Sequence, residues 1–214
     1  MIHHQNEIAQ SEAVTGKTFV KYWLHGAFLQ VDGGKMSKSL GNAYTVLDIE
    51  EREHDPLALR YLFMSAHYRT PLNFTWEALN GAQTALKRLY GLVSGYKEEG
   101  GNLDSMFLEK FEEAINDDLN MPQAVAVMWD MLKSSIGESS KVATLLRFDD
   151  VLGLNIDNYV GFEIPEKVMS LAKVRYEYRK SGIWDKADQL RREIESLGYV
   201  VEDEGDSFRV KRLI

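Results

Sequence analysis

Between residues 53 and 160 apolar residues return every three or four positions, the spacing of helices that bury one face. In "DPLALRYLFMSAHY", Asp55 is placed to cap a helix that opens on Pro56, and Leu59, Leu62, Phe63 and Ala66 trace its expected buried face. Thr75 can cap a second helix carrying Trp76, Leu79, Ala82, Leu86, Leu89 and Val93, and Phe107, Phe111, Ala114 and Ile115 mark a third. Asn120 and Pro122 open a fourth, and a fifth covers residues 138–149. Short connections between such helices predict an antiparallel bundle, so the fold is mainly α.

Different patterns flank the bundle. After a short polar helical start, residues 17–31 ("KTFVKYWLHGAFLQV") lie between Gly16 and Asp32–Gly33 and read as two strands around Gly26, the kind of end found in an α/β domain. Beyond residue 160, Pro165 starts a helix running to about Lys180, which Ser181–Gly182 ends. Trp184, Ala187, Leu190, Ile194 and Leu197 form a helical stripe closed by Gly198. "YVVEDEGDSFRVKR" then reads as a β-hairpin. Three units are expected: 1–52, 53–160 and 161–214.

Composition narrows the function. The 214 residues contain no cysteine, which rules out disulfides and thiolate metal ligands within the chain. No apolar run reaches membrane-spanning length and no secretory leader pattern follows Met1, so a cytoplasmic protein without membrane contact is expected. A net charge of −8 argues against non-specific nucleic-acid binding. The charge is uneven, however: residues 171–214 carry ten Lys and Arg against nine Asp and Glu, leaving the rest at −9.

Two segments carry chemistry. In "VDGGKMSKSLGN" (residues 31–42), Gly33 and Gly34 free the backbone, while Lys35 and Lys38 are point cations suited to phosphate, with Ser37 and Ser39 as hydrogen-bond partners. In "HHQNEIAQSEA" (residues 3–13), His3 and Glu7 are four apart and on a helix would share a face. That spacing fits either two metal ligands or a polar helix start with incidental histidines.

The letters themselves carry a resemblance. "KMSKS" followed by "LGN" resembles the signature loop of class I aminoacyl-tRNA synthetases, and "HHQNEIAQSEA" is similar to the "HHENEIAQSEA" of cysteinyl-tRNA synthetases. "YWLHGAFLQVDGGKMSKSLGN", "DPLALRYLFMSAHYRTPLNFTWEAL", "INDDLNMPQA" and "WDKADQLRREIESLGYVVEDEGDSFRVKR" extend it over essentially the whole chain. The resemblance implies the end of a Rossmann-like catalytic domain, a DALR-type bundle and a C-terminal anticodon-recognition unit. It implies a ligase that uses ATP, Mg2+ and Zn2+ to join cysteine to its tRNA, monomeric when complete. Lys35, Met36, Ser37, Lys38 and Ser39 would close over ATP, with Lys35 and Lys38 stabilising phosphate charge. His3 and Glu7 would bind zinc, and His4 would not.

The sequence also departs from that pattern. Gln5 replaces a Glu and Ile2 a Pro, neither of them a ligand. "LHGA" at residues 24–27 lacks the second His of the HIGH sequence that binds ATP, and the two cysteines that complete the zinc site are missing. The chain therefore resembles the C-terminal half of such an enzyme, beginning inside its catalytic domain, with the N-terminal half as a partner if the gene is split. By itself it is expected to be inactive. A non-catalytic tRNA-binding remnant and a cysteine ligase of thiol biosynthesis are the alternatives. At the tail, Arg179, Asp188 and Asp203 are candidates for anticodon bases. Trp184 reads either as a core anchor or as a stacking platform for a base. Arg60, Arg69 and Lys87 read as a solvated face.

Overall fold

In a computed structural model, residues 4–96, 100–161, 164–205 and 207–212 are described. The chain runs through α1 (Gln5–Thr15), β1 (Leu29–Val31), β2 (Gly34–Lys35), α2 (Val46–Glu51), α3 (Pro56–Met64) and β3 (Leu72–Phe74). Then come α4 (Trp76–Val93), α5 (Ser105–Asn116), α6 (Met121–Lys133) and α7 (Glu138–Leu152). The chain closes with α8 (Glu166–Lys180), α9 (Trp184–Ser196), β4 (Tyr199–Glu204) and β5 (Ser207–Arg212). It is mainly helical, as the periodicity requires.

The expected caps form. Asp55, Thr75 and Asn120 accept hydrogen bonds from the backbone N–H groups of Leu57, Ala78 and Gln123, satisfying donors that a helix start leaves free. Thr45 and Asp48 make a reciprocal capping box on α2. On α4, Leu79, Leu86, Leu89 and Val93 are fully buried, and the rings of Phe111 (α5) and Phe148 (α7) stack 4.1 Å apart. The same core includes Val31, Ile49 and Phe74, so the sheet and α2 pack continuously with the bundle.

The buried face of α3 differs from the one expected. Ala58, Tyr61, Leu62 and Met64 are buried, Phe63 is 45% exposed, and Ala66 lies beyond the helix. α3 packs against both α4 and α6, and Tyr61 accepts a hydrogen bond from Trp129 Nε1 at 2.8 Å, which turns the helix toward that pair. Arg60 and Arg69 are exposed, as expected of a solvated face, yet each also ties down a segment remote in sequence. Arg60 donates to the Leu152 and Val151 carbonyls that end α7. It sits so close that a Cβ on Gly153 (φ +60°) would meet its Nη2 at 2.9 Å. Arg69 pairs through Nε with Asp118 Oδ2 at 2.6 Å, and Tyr68 donates its hydroxyl to Asp118 Oδ1 at 2.7 Å. Asp118 and Leu119 both have positive φ, so this clasp holds a strained turn between α5 and α6.

Of the two strands expected in residues 17–31, only β1 forms. It pairs antiparallel with β2 and parallel with β3. Ala27 N–H reaches the Tyr68 carbonyl, but the residues before it have no neighbouring strand among the described residues. Without a ladder their backbone has no reason to stay extended. Tyr22 and Phe28 stand 89% and 88% exposed.

At the C-terminal end, α8, α9 and the β4–β5 hairpin share a small core of Val168, Ala172, Ile194, Val201 and Val210. The expected α9 stripe is only partly buried. Ala187 and Ile194 are inside, whereas Leu197 is exposed and Trp184 is 58% exposed. Trp184 is therefore not a core anchor. Among the described residues α9 packs chiefly on α8 and β4, which leaves much of its surface open.

Candidate functional site

At the N-terminus, His3 lies outside the described residues. Glu7, on the first turn of α1, is engaged by His4, whose Nδ1 lies 2.6 Å from Glu7 Oε2. The His4 ring stacks on Trp23 at 4.5 Å, with His25 5.4 Å away. No three His, Cys, Asp or Glu side chains among the described residues converge as a metal group. With one expected ligand paired to a neighbour and no thiolate in the chain, the donors present do not fit a four-coordinate zinc site.

The Lys–Ser segment is built on a hairpin. Asp32 and Gly33 take φ of +50° and +75°, the two left-handed positions of a two-residue turn that suits the twist between β1 and β2. Asn73 Oδ1 on β3 accepts the Gly33 N–H at 2.8 Å. Lys35 is exposed at the end of β2, while Met36 packs against the core and anchors the segment from below. Asn42 closes the loop: its Oδ1 accepts from Ser37 N–H at 2.8 Å and its Nδ2 donates to the Lys35 carbonyl at 3.1 Å. Lys38 begins a short 3-10 turn to Leu40, and the Ser37 and Ser39 hydroxyls lie 2.8 Å apart. The result is a loop pinned at both ends, with Lys35 exposed to solvent. Sequence reasoning missed the jobs of Asn42 and Asn73. The second depends on strand register, which no local signal announces.

The tail brings together three of its four candidates. Arg179 Nη1 lies 2.8 Å from Asp203 Oδ2, and the Arg179 guanidinium sits 5.4 Å from the centre of the Trp184 ring. Asp188 is exposed on α9, one turn beyond Trp184. A fourth member was missed. Arg175, only 3% exposed, donates Nη1 and Nη2 to Asp203 Oδ1 and Oδ2 at 2.5 and 3.0 Å. Both oxygens of Asp203 are thus committed to arginines, while Arg179 is part-exposed and the Trp184 ring is exposed. The hint was a second arginine on α8, one helical turn before Arg179, legible only once α8 is known to face β4 and β5.

Hydrogen bonds from Arg175 hold the Asp203 carboxyl below the usual carboxylate range, and those from Arg69 and then Tyr68 do the same for Asp118. A carboxyl with a lowered folded pKa lends stability that is present above its unfolded value, about 3.9. That stability disappears as the pH falls through the folded value. Thermal melts of the parent between about pH 2 and 6 should show this acid decline, and Asp203→Asn should make it shallower. An identical pH slope in both proteins would contradict the assignment.

Residues 1–84 match the model of class I (C) tRNA synthetase catalytic domains, and residues 110–156 match a DALR domain. The loop hairpin thus lies in a segment similar to class I tRNA synthetase catalytic domains, and α6 and α7 lie in one similar to a DALR domain. Residues 163–210 match the cysteinyl-tRNA ligase anticodon binding domain. The chain is 42% identical over 212 residues to cysteine–tRNA ligase 1 of Burkholderia lata, covering 98% of this chain and 45% of that protein. It is 38% identical to the cysteine–tRNA ligases of Acinetobacter baylyi and Chlamydia muridarum, covering 94% and 99% of this chain and 48% and 50% of theirs. The similarity to cysteine–tRNA ligases runs over 94% to 99% of this chain, which spans about half the length of the relatives it matches.

Proposed function

We propose that the chain supplies the ATP-closing loop and the anticodon-recognition unit of a cysteine–tRNA ligase. Such an enzyme activates cysteine with ATP and transfers it to its tRNA. The observation that carries this reading is the pinned loop bearing Lys35 and Lys38, in a chain whose tail exposes an arginine over a tryptophan. In the activation step the cysteine carboxylate attacks the α-phosphorus of ATP and pyrophosphate leaves. The loop lysines offset negative charge as it shifts toward the leaving group. Residues 1–52, 53–160 and 161–214 would serve as catalytic-domain end, tRNA-facing bundle and anticodon unit.

A polypeptide of these 214 residues has no HIGH sequence and no cysteine, so it is expected not to activate cysteine alone. The test is cysteine-dependent pyrophosphate exchange by the purified chain, then with an N-terminal polypeptide carrying a HIGH sequence and two cysteines added. Exchange only in the mixture is expected. Robust exchange by the chain alone would sink the division of labour, and none in the mixture would favour a tRNA-binding protein without catalysis. The absence of HIGH and cysteine is the observation behind that second reading. A cysteine ligase of thiol biosynthesis has no use for an anticodon unit, and the match of residues 163–210 weighs against it.

A further inference from the structure

We propose that Asn73 is a positioning residue for the Lys–Ser loop, its side-chain carbonyl fixing the tip of the hairpin that carries Lys35. The β1–β2 hairpin is too short to hold itself: only Gln30↔Lys35 and Val31↔Gly34 are paired. Its support is the parallel pairing with β3, in the register Leu29↔Leu72, Gln30↔Asn73 and Val31↔Phe74. That ladder ends where Asp32 N–H meets the Phe74 carbonyl at 3.0 Å. The next N–H, that of Gly33, is taken by the Asn73 side chain at 2.8 Å, so Asn73 extends the ladder around the turn.

The register also sets the face. Lys35, Gln30 and Asn73 lie in one row across the three strands, so they project to the same side of the sheet, and all three are exposed. The opposite side carries Val31 and Phe74, both buried. Asn73 therefore grips the hairpin from the side on which Lys35 meets solvent. Gly33 and Gly34 offer little resistance of their own to a swing of the tip, and a Cβ at Gly33 would meet nothing within 4 Å. At the far end, Asn42 ties Ser37 to Lys35 but does not touch the tip.

The consequence for ATP rests on the proposed function, but the positioning itself can be read on the 214-residue chain. Asn73→Ala should accelerate amide exchange in residues 29–41 and tryptic cleavage after Lys35 by about two- to tenfold, the weight of one hydrogen bond. The melting temperature should stay unchanged, because Asn73 is exposed. Asn73→Asp keeps an acceptor for the Gly33 N–H and should restore slow exchange. Parent-like exchange and cleavage in Asn73→Ala would overturn the proposal, as would failure of Asn73→Asp to restore them. In a complete ligase containing the chain, Asn73→Ala should raise KM for ATP and leave KM for cysteine alone. Faster loop exchange with unchanged ATP kinetics would confirm the positioning role and remove ATP from the loop's assignment.

Discussion

Replacing Lys38 by alanine in a complete ligase containing this chain is expected to slow adenylate formation by about 10²–10³-fold, the usual cost of losing one preorganised electrostatic contact to a transition state. Cysteine affinity should hardly change. The physical reason is differential binding: the contact matters most as charge moves onto the departing pyrophosphate, and little in the ground state. A lysine ammonium on a flexible stem suits this task, because it can follow the charge rather than fix one geometry. Single-turnover pyrophosphate exchange separates the step from binding. Equal first-step rates in mutant and parent would show that the segment is only a surface turn.

The second large effect is expected at Trp184. Since 58% of this residue is exposed, Trp184→Ala should leave the melting temperature nearly unchanged. It should weaken anticodon stem-loop binding by the worth of one base–aromatic stack, about 1–3 kcal/mol. Arg179→Ala should weaken binding as well, and should reduce discrimination among bases if its guanidinium donates to a base edge. Asp203→Ala belongs to a different category. It removes the partner of the buried Arg175, so it should lower stability together with binding, because an uncompensated charge is left inside. Loss of binding at Trp184 accompanied by an equal loss of stability would mean that the ring serves packing after all.

Much of this was legible in the sequence. Caps such as Asp55, Thr75 and Asn120 are local signals, read from a side chain and the amides two or three residues on, and they appear where expected. The α4 stripe was equally plain, because a helix buried along its length leaves an unbroken period. What was hidden depended on non-local pairing. The first expected strand failed for want of a neighbour, which no property of "KTFVKYW" announces. Phe63 looked like core, and Trp184 could be read that way too, because both are large and apolar, yet burial is decided by the facing element. Arg60 and Arg69 read as surface charge and are exposed, yet each binds a carbonyl or carboxylate remote in sequence, and Arg175, which carried no reading, is buried against Asp203. At the loop, the motif identified the residues that would act, and the structure identified Asn42 and Asn73 as those that hold them.

Fluorescence titration of the 214-residue chain with anticodon stem-loops at two salt concentrations bears most directly on the proposed role. One stem-loop would carry GCA, the anticodon for cysteine, and others would differ at a single anticodon base. Contacts to phosphate weaken alike for every sequence as salt rises, whereas each base contact discriminates by about 1–3 kcal/mol. The GCA loop should bind tightest at both salt concentrations, with the preference preserved as overall affinity falls. Equal affinity for all the loops would contradict the assignment of residues 161–214 to anticodon recognition.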